Sequence, residues 1–292
     1  MAVEALDVVL PSPLVEIDDE RLGAVRLLVK RDDLIHPVVS GNKWRKLRYA
    51  LRDVEPGTTV LSFGGAFSNH LRALAAWGRY HSLRTVGVVR GEEQPFNDVL
   101  AGCVADGMEL TYLDRRTYRR KTEPDVVADL RARFAPGLVL PEGGTTVHAV
   151  RGCAELVAEL NEPFGVIATA VGTGGTLAGL AAGIGPDQRA IGISALRGAR
   201  SIDAAVDSLH EAALGRRLGN WAIDHERHHG GFARRTAELD TFVDDFAVRH
   251  GVRLEWVYVA KLIFAIYAKV AAGEFDDGST VVAVVTGPAL TG

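Results

Sequence analysis

Short apolar runs alternate with amphipathic segments along almost the whole chain. Strands are predicted over 25–29, 59–63, 85–89, 110–113, 138–140, 166–171, 190–193 and 280–285. Helices are predicted over 43–52, 68–80, 97–106, 125–134, 147–160, 176–182, 236–250 and 258–271. Strands alternating with helices make βαβ units and a largely parallel sheet, so the chain is α/β. The strand runs are β-branched and continuous, as expected when both faces are covered. No internal repeat or low-complexity linker interrupts the pattern.

In such sheets ligands bind in the loops that lead from strand ends into helices. Two of these loops are rich in Gly, Ser, Thr and Asn. In LSFGGAFSNHLRALAA, Gly64-Gly65 turn the chain after Phe63, and Ser68-Asn69 open a helix. Ser68 could serve only as an N-cap. Equally, the glycines free backbone amides which, with the positive helix end, suit a carboxylate. In VIATAVGTGGTLAGLAAG, Gly172-Thr173-Gly174-Gly175-Thr176 follow a strand and open a helix. Free amides, two hydroxyls and a helix N-terminus make a phosphate cradle. Leu177 stands where a dinucleotide fingerprint needs glycine, and no Walker lysine follows. A plain tight turn rarely needs so many glycines and hydroxyls together. An aspartate at Gly174 is expected to put a carboxylate where phosphate oxygens belong.

The stretch VVSGNKWRKLRYAL begins with the cap-like Ser40-Gly41-Asn42 and then crowds Lys43, Trp44, Arg45, Lys46 and Arg48 onto one helix. A solvated face would explain the charge, and so would a docked anion. Lys43 and Lys46 share a helix face. Their repulsion favours a neutral amine at one of them unless an anion compensates. A lysine of depressed pKa is what imine formation needs. An imine-forming lysine and a loop for a single phosphate together describe pyridoxal phosphate.

Composition narrows the picture further. The chain has 292 residues, enough for one large or two small domains, and 47% are hydrophobic, enough for a sizeable core. A net charge of -4 gives no general pull toward nucleic acid or membrane. The basic patch at 114–121 reads as a solvated face. Cys103 and Cys153 make no disulfide framework, which fits a reduced cytosolic compartment. The N-terminus has acidic residues and no basic n-region, unlike a signal peptide. The apolar stretch 256–272 is broken by Lys261 and Lys269 and is too short for a bilayer. His36, His148, His228 and His229 lack HExxH or paired-cysteine context, so no metal site is expected.

Taken together, the motifs resemble the fold-type-II pyridoxal-phosphate enzymes (tryptophan synthase β-like), specifically the 1-aminocyclopropane-1-carboxylate deaminase / D-cysteine desulfhydrase family, over nearly the whole chain. KRDDLIHPVVSGNKWRKLRY is similar to the segment bearing the imine lysine, which implies that role for Lys43. Lys46 matches the family's second, phosphate-contacting lysine. GGAFSNH resembles the serine loop, with Ser68 at the proposed catalytic serine and Asn69 at the residue bonding the cofactor's phenolic oxygen. VGTGGT matches the phosphate loop (Gly172, Thr173, Gly174, Gly175, Thr176). VVTGP resembles the last strand end, placing Thr286 near the pyridine nitrogen. Substrate contacts are implied for Ser68, Asn69, His70 and Phe232.

The resemblance implies two parallel-sheet domains, residues 1–46 with 144–292 and residues 47–143, and a homodimer. Two departures stand out. Phe232 in HHGGFARRTAEL occupies a position where many members have tyrosine, one of two implicated in cyclopropane ring opening. The other tyrosine is matched by Tyr258, in the unusual context LEWVYVAKLIF. The expected activity is therefore β-elimination from a small D-cysteine-type amino acid, giving keto acid and ammonia, in preference to ring opening. Lys43, Ser68 and Tyr258 would be catalytic. Two rivals are a cofactor-binding protein with little lyase activity and a serine hydrolase using Ser68 with His70.

Overall fold

Ten strands build two sheets among the residues described by the structure, a computed structural model covering 6–287 except Ser40, Gln94 and Phe96. Ser40 of the expected cap and Pro288 of the last motif lie outside the described residues. The chain runs β1 (Leu14–Ile17), β2 (Arg26–Lys30), α1 (Gly41–Ala50), β3 (Thr59–Gly64), α2 (Asn69–His81), β4 (Arg84–Arg90) and α3 (Asp98–Ala105). It continues through β5 (Glu109–Leu113), α4 (Arg115–Arg119), α5 (Pro124–Phe134), β6 (Leu138–Val139), α6 (Val147–Ala158), β7 (Val166–Val171) and α7 (Gly175–Gly183). It ends with β8 (Arg189–Ser194), α8 (Ser201–Leu214), β9 (Trp221–Asp224), α9 (Ala237–His250), α10 (Val259–Ala271) and β10 (Thr280–Val284).

The larger sheet has the order β1-β2-β10-β7-β8-β9 and the smaller β5-β4-β3-β6. Every pairing is parallel except β1 with β2. Both sheets are covered on both faces, as the continuous apolar strands require. Leu27, Val29, Ala168 and Val281 face Phe246, Leu262 and Ile266 of α9 and α10. Their neighbours Leu28, Ile167 and Val282 point the other way, onto Leu156, Leu177, Leu180 and Val206 of α6, α7 and α8. In the smaller sheet Val60 and Val89 pack under α1 and α2, while Leu61, Phe63, Val86 and Val88 pack on Tyr118, Val126 and Leu130. Ile35, Val39 and Trp44 join the core of the smaller sheet although they precede it in the chain.

The elements absent from the sequence reading have physical reasons. The apolar stripe of α8 is interrupted by His210, which is fully buried with Nε2 3.0 Å from the carbonyl of Ala178. Strands β1 and β9 are four-residue edges with little burial. Helix α4 lies within the basic patch, capped by Asp114 and anchored by buried Tyr118, with its arginines outward.

The positive charge on α1 is not a solvated face. Arg45 is buried and bonds Asp32 (Nε–Oδ2 2.6 Å) and Glu159 (Nη1–Oε1 2.8 Å). Lys30, also buried, reaches Glu159 at 2.8 Å and donates to the carbonyl of Ser12 at 2.5 Å. This network ties β2, α1 and α6 together, so that Arg45 has a structural role. Arg48 alone lies outward, over the ring of Trp44 and paired with Glu155 at 2.8 Å.

Candidate cofactor and active site

The carboxyl ends of β3, β7 and β10 and the first turns of α1, α2 and α7 converge on one cavity of about 410 Å³. Lys43, Lys46, Ser68, Asn69, His70, Gly172, Thr173, Gly174, Thr176, Phe232, Tyr258 and Thr286 all line it. Gly175 does not line it; an added β-carbon there would meet Thr145 Cγ2 at 3.0 Å and Oγ1 at 3.1 Å and stand 3.3 Å from Lys46 Nζ. The residues singled out in the sequence are thus brought together from segments more than 200 positions apart.

Helix α1 is aimed into the cavity by its contacts at both ends of the fold. Gly41 adopts φ +60, a left-handed conformation, and packs directly on the carbonyl of Thr286. Asn42 Nδ2 donates to Thr176 Oγ1 at 2.8 Å, joining the first turns of α1 and α7. Lys43 and Lys46 follow on that face. Among the described residues no carboxylate pairs with either, unlike Arg45 between them. Burial, reinforced by Lys46, holds the Lys43 amine well below the usual lysine range. Burial also lowers Lys46.

The two loops differ in how they present their groups. Ser68 Oγ caps α2 by accepting from Leu71 N at 3.2 Å, so capping and cavity lining coexist. Thr173 and Thr145 hydroxyls pair at 2.6 Å on one side of the glycine loop. Gly174 has φ +82, and a β-carbon there would meet Val206 Cγ2 at 2.8 Å, away from the cavity. The expectation that an aspartate at Gly174 would occupy anion space is therefore corrected: its side chain would strike α8. The position that projects toward Lys46 is Gly175.

His70 is neutral, its pKa pushed well down by burial and then by Lys43 and Lys46. Ser62 Oγ donates to the carbonyl of Leu140 at 3.0 Å and lies 2.8 Å from His70 Nε2. Nε2 of the imidazole is thus taken up by Ser62, Nδ1 has no partner among the described residues, and no Ser68–His70 hydrogen bond is present. Tyr258 remains a protonated phenol, its pKa raised by burial and by Glu255. Phe232 packs edge-on to it at 6.0 Å between centroids and is 43% exposed at the mouth.

A buried lysine amine of lowered pKa, a second lysine beside it, a glycine-and-threonine loop at a helix N-terminus and a buried threonine hydroxyl fit pyridoxal phosphate. The match to known families agrees. The model of the family "Pyridoxal-phosphate dependent enzyme" matches residues 5–287. The chain belongs to this family. Its cofactor is pyridoxal phosphate, and it has the fold-type-II architecture. The sequence is 39% identical over 167 residues, 54% of each chain, to a putative 1-aminocyclopropane-1-carboxylate deaminase of Thermotoga maritima. That match spans about half the relative's length. A D-cysteine desulfhydrase of Salmonella choleraesuis is 26% identical over 291 residues, covering 90% of this chain and 88% of the relative. A crystal structure of an ACC deaminase homologue superposes with a TM-score of 0.83 at 25% identity, covering 97% of this chain and 90% of that one.

Several residues at the site of this pyridoxal-phosphate enzyme carried no signal in the sequence. Asn42 and Thr145 act through long-range hydrogen bonds. Arg90, Glu142 and Leu196 line the cavity from elements whose patterns mark them only as strand ends and turns. The strand-end rule for parallel sheets was the one signal that could have pointed to Arg90 and Leu196.

Proposed function

We propose that this enzyme eliminates the β-substituent of a small D-cysteine-type amino acid, giving a keto acid and ammonia. The observation that carries the reading is the unpaired, low-pKa amine of Lys43 facing the same cavity as Lys46 and the loop from Gly172 to Thr176. Lys43 would hold the cofactor through its amine. The glycine loop, with Lys46 as charge partner, would hold the phosphate. Asn69 would bond the phenolic oxygen, and Thr286 the pyridine side. When bound, pyridoxal phosphate supplies an electron sink for the pair left at Cα.

The chain's own groups then divide the remaining tasks. Backbone amides of Asn69 and His70, at the positive end of α2, would bind the α-carboxylate, while Ser68 N already donates to the carbonyl of Gly65 at 3.0 Å. Lys43 Nζ, whose pKa is lowered by burial and by Lys46, would take the α-proton. A placed general base of this kind typically contributes about 10²–10⁴-fold. Ser68 Oγ keeps its hydroxyl proton available while it caps α2. Tyr258, kept protonated, orients the substrate from the opposite wall, and Phe232 offers only apolar surface there. A thiolate leaves without being protonated, so the missing phenol at Phe232 weighs less on elimination than on ring opening. Overall, an amino acid bearing a β-thiol and water give hydrogen sulfide, a keto acid and ammonia.

The same reading includes a homodimer, a cytosolic location, and a division into 1–46 with 144–292 and 47–143. The division is supported by β3 to β6 forming their own sheet. Among the described residues no helix is long and apolar enough to cross a membrane. Assay of the cofactor-loaded protein with D-cysteine, β-chloro-D-alanine and their L-forms tests the activity. Keto acid from a D-form is expected. No keto acid from any of them would favour the second reading, a cofactor-binding protein with little lyase activity, for which Phe232 and the altered surroundings of Tyr258 speak.

A further inference from the structure

Lys261 is fully buried, and its ammonium bonds backbone carbonyls, with no ion pair to a carboxylate among the described residues. It lies on α10, three positions beyond Tyr258. Its Nζ donates to the carbonyl of Gly231 at 2.7 Å and lies 3.5 Å from that of Ala195. Each carbonyl belongs to the residue just before a cavity-lining side chain: Phe232 after Gly231, and Leu196 after Ala195. Taking so large a side chain out of water to hold two backbone carbonyls is expensive. The desolvation is visible in its pKa, pulled down to about 8 by burial, with Glu255 acting in the opposite direction.

The exit of β8 is also held by Ala195 N, which donates to the carbonyl of Val171 at 2.9 Å, and by Ser194 Oγ, which bonds both N and O of Leu196, whereas the other side has mostly local bonds. Segment 228–234 is held to itself by short-range bonds, Gly231 N to the carbonyl of His228 at 3.0 Å and Arg234 N to that of Gly231 at 3.1 Å. It belongs to no strand or helix. Phe232 is half exposed and, among the described residues, its one aromatic-ring contact is Tyr258. On the other side of Tyr258, Glu255 fixes the start of α10 by accepting from Val257 N at 2.6 Å and Tyr258 N at 2.9 Å. Besides the edge-on contact of His229 with Phe264 of α10 at 4.5 Å, the Lys261 ammonium links the anchored Tyr258 to the chain at Phe232 and to the exit of β8.

We propose that Lys261 is a positioning residue that holds Phe232 and Leu196 against Tyr258, so that the three side chains form one wall of the substrate cavity. It does not line the cavity, so it acts through these neighbours. Its effect falls on how tightly the substrate side chain is held. The kinetic part rests on the proposed lyase reading; the structural part does not.

The test uses the cofactor-loaded full chain. In Lys261→Met, hydrogen exchange at the amides of Gly231 and Arg234 should quicken at least about tenfold, the scale of one lost hydrogen bond. The visible cofactor spectrum should not change. KM for D-cysteine should rise about tenfold while kcat falls less than KM rises, the sign of lost binding interactions. Lys261→Arg, which keeps a cationic donor, should restore slow exchange. Unchanged exchange in folded Lys261→Met overturns the proposal. So does an equal fall of kcat and kcat/KM with KM unmoved. If Lys261→Met does not fold, Phe232→Ala must reproduce the KM rise, and Lys261→Arg must keep both KM and slow exchange. Failure of either overturns it. If the unaltered enzyme does not turn over D-cysteine, the lyase reading has failed, and the exchange measurement still decides the clamp.

Discussion

Gly41 and Thr286 touch so closely that a β-carbon on Gly41 would overlap the carbonyl oxygen of Thr286. The contact joins the first turn of α1 to the end of β10 and so sets where Lys43 points. Gly41→Ala adds this clash, which forces the backbone to shift, and a left-handed alanine, a strain of about 1–3 kcal/mol. The melting temperature should fall, and bound cofactor per chain should fall with it. Full cofactor content at an unchanged melting temperature would mean that α1 is placed by other contacts.

The glycine loop separates two kinds of damage. Gly175→Asp would press its β-carbon on Thr145 (3.0 Å) and bring a carboxylate beside Lys46 Nζ (3.3 Å from the β-carbon), where it would compete with phosphate for the ammonium. Cofactor affinity should drop about 10–100-fold, the range for one charged hydrogen bond. Gly174→Asp drives its side chain into Val206 and Ile202 instead, so its first effect should be on stability of the cofactor-free protein. Equilibrium titration with pyridoxal phosphate and thermal unfolding of both variants distinguish the two. Equal affinity in Gly175→Asp and the parent would remove Lys46 from the phosphate site.

Buried charge on α1 gives a separate expectation. Asp32 receives Arg45 through both carboxylate oxygens and also the hydroxyl of Ser12 at 2.6 Å. Asp32→Asn removes one of the two carboxylates on Arg45 and leaves Glu159 as the other, and breaking such a buried ion pair costs about 3–5 kcal/mol. Urea unfolding of the cofactor-free variant should show a loss of that order. A loss below about 1 kcal/mol, typical of a surface pair, would contradict the buried-network account.

Much of this arrangement was legible in the sequence because period and punctuation survive in one dimension. Continuous β-branched runs marked the parallel strands, and Gly-Ser-Thr loops after β3 and β7 marked the strand ends where ligands gather. What escaped depends on partners far along the chain. Arg45 and Lys30 look like solvent charges until Asp32 and Glu159 are beside them. Asn42 matters through Thr176. His210 hid α8 by filling a core position with a polar ring. The direction of the missing β-carbon at Gly174 is a matter of backbone conformation, which composition does not reveal.

Phe232 faces the ring of Tyr258 without a hydroxyl. Phe232→Tyr should leave cofactor binding unchanged. If the absent phenol limits the chemistry, it should raise turnover of 1-aminocyclopropane-1-carboxylate by about 10²-fold, the lower end for an added acid–base group. Assay of keto acid from that substrate, parent against variant, decides. Robust ring opening by the parent enzyme would show that no phenol is needed at this position.

The central claim is that Lys43 is the residue to which pyridoxal phosphate attaches. Borohydride reduction of the cofactor-loaded enzyme followed by peptide mapping tests it most directly. The pyridoxyl group is expected on the peptide carrying Lys43, in stoichiometric amount, and absent from reduced Lys43→Ala. A pyridoxyl group on Lys30, Lys46, Lys261 or Lys269 in the parent enzyme would contradict the account.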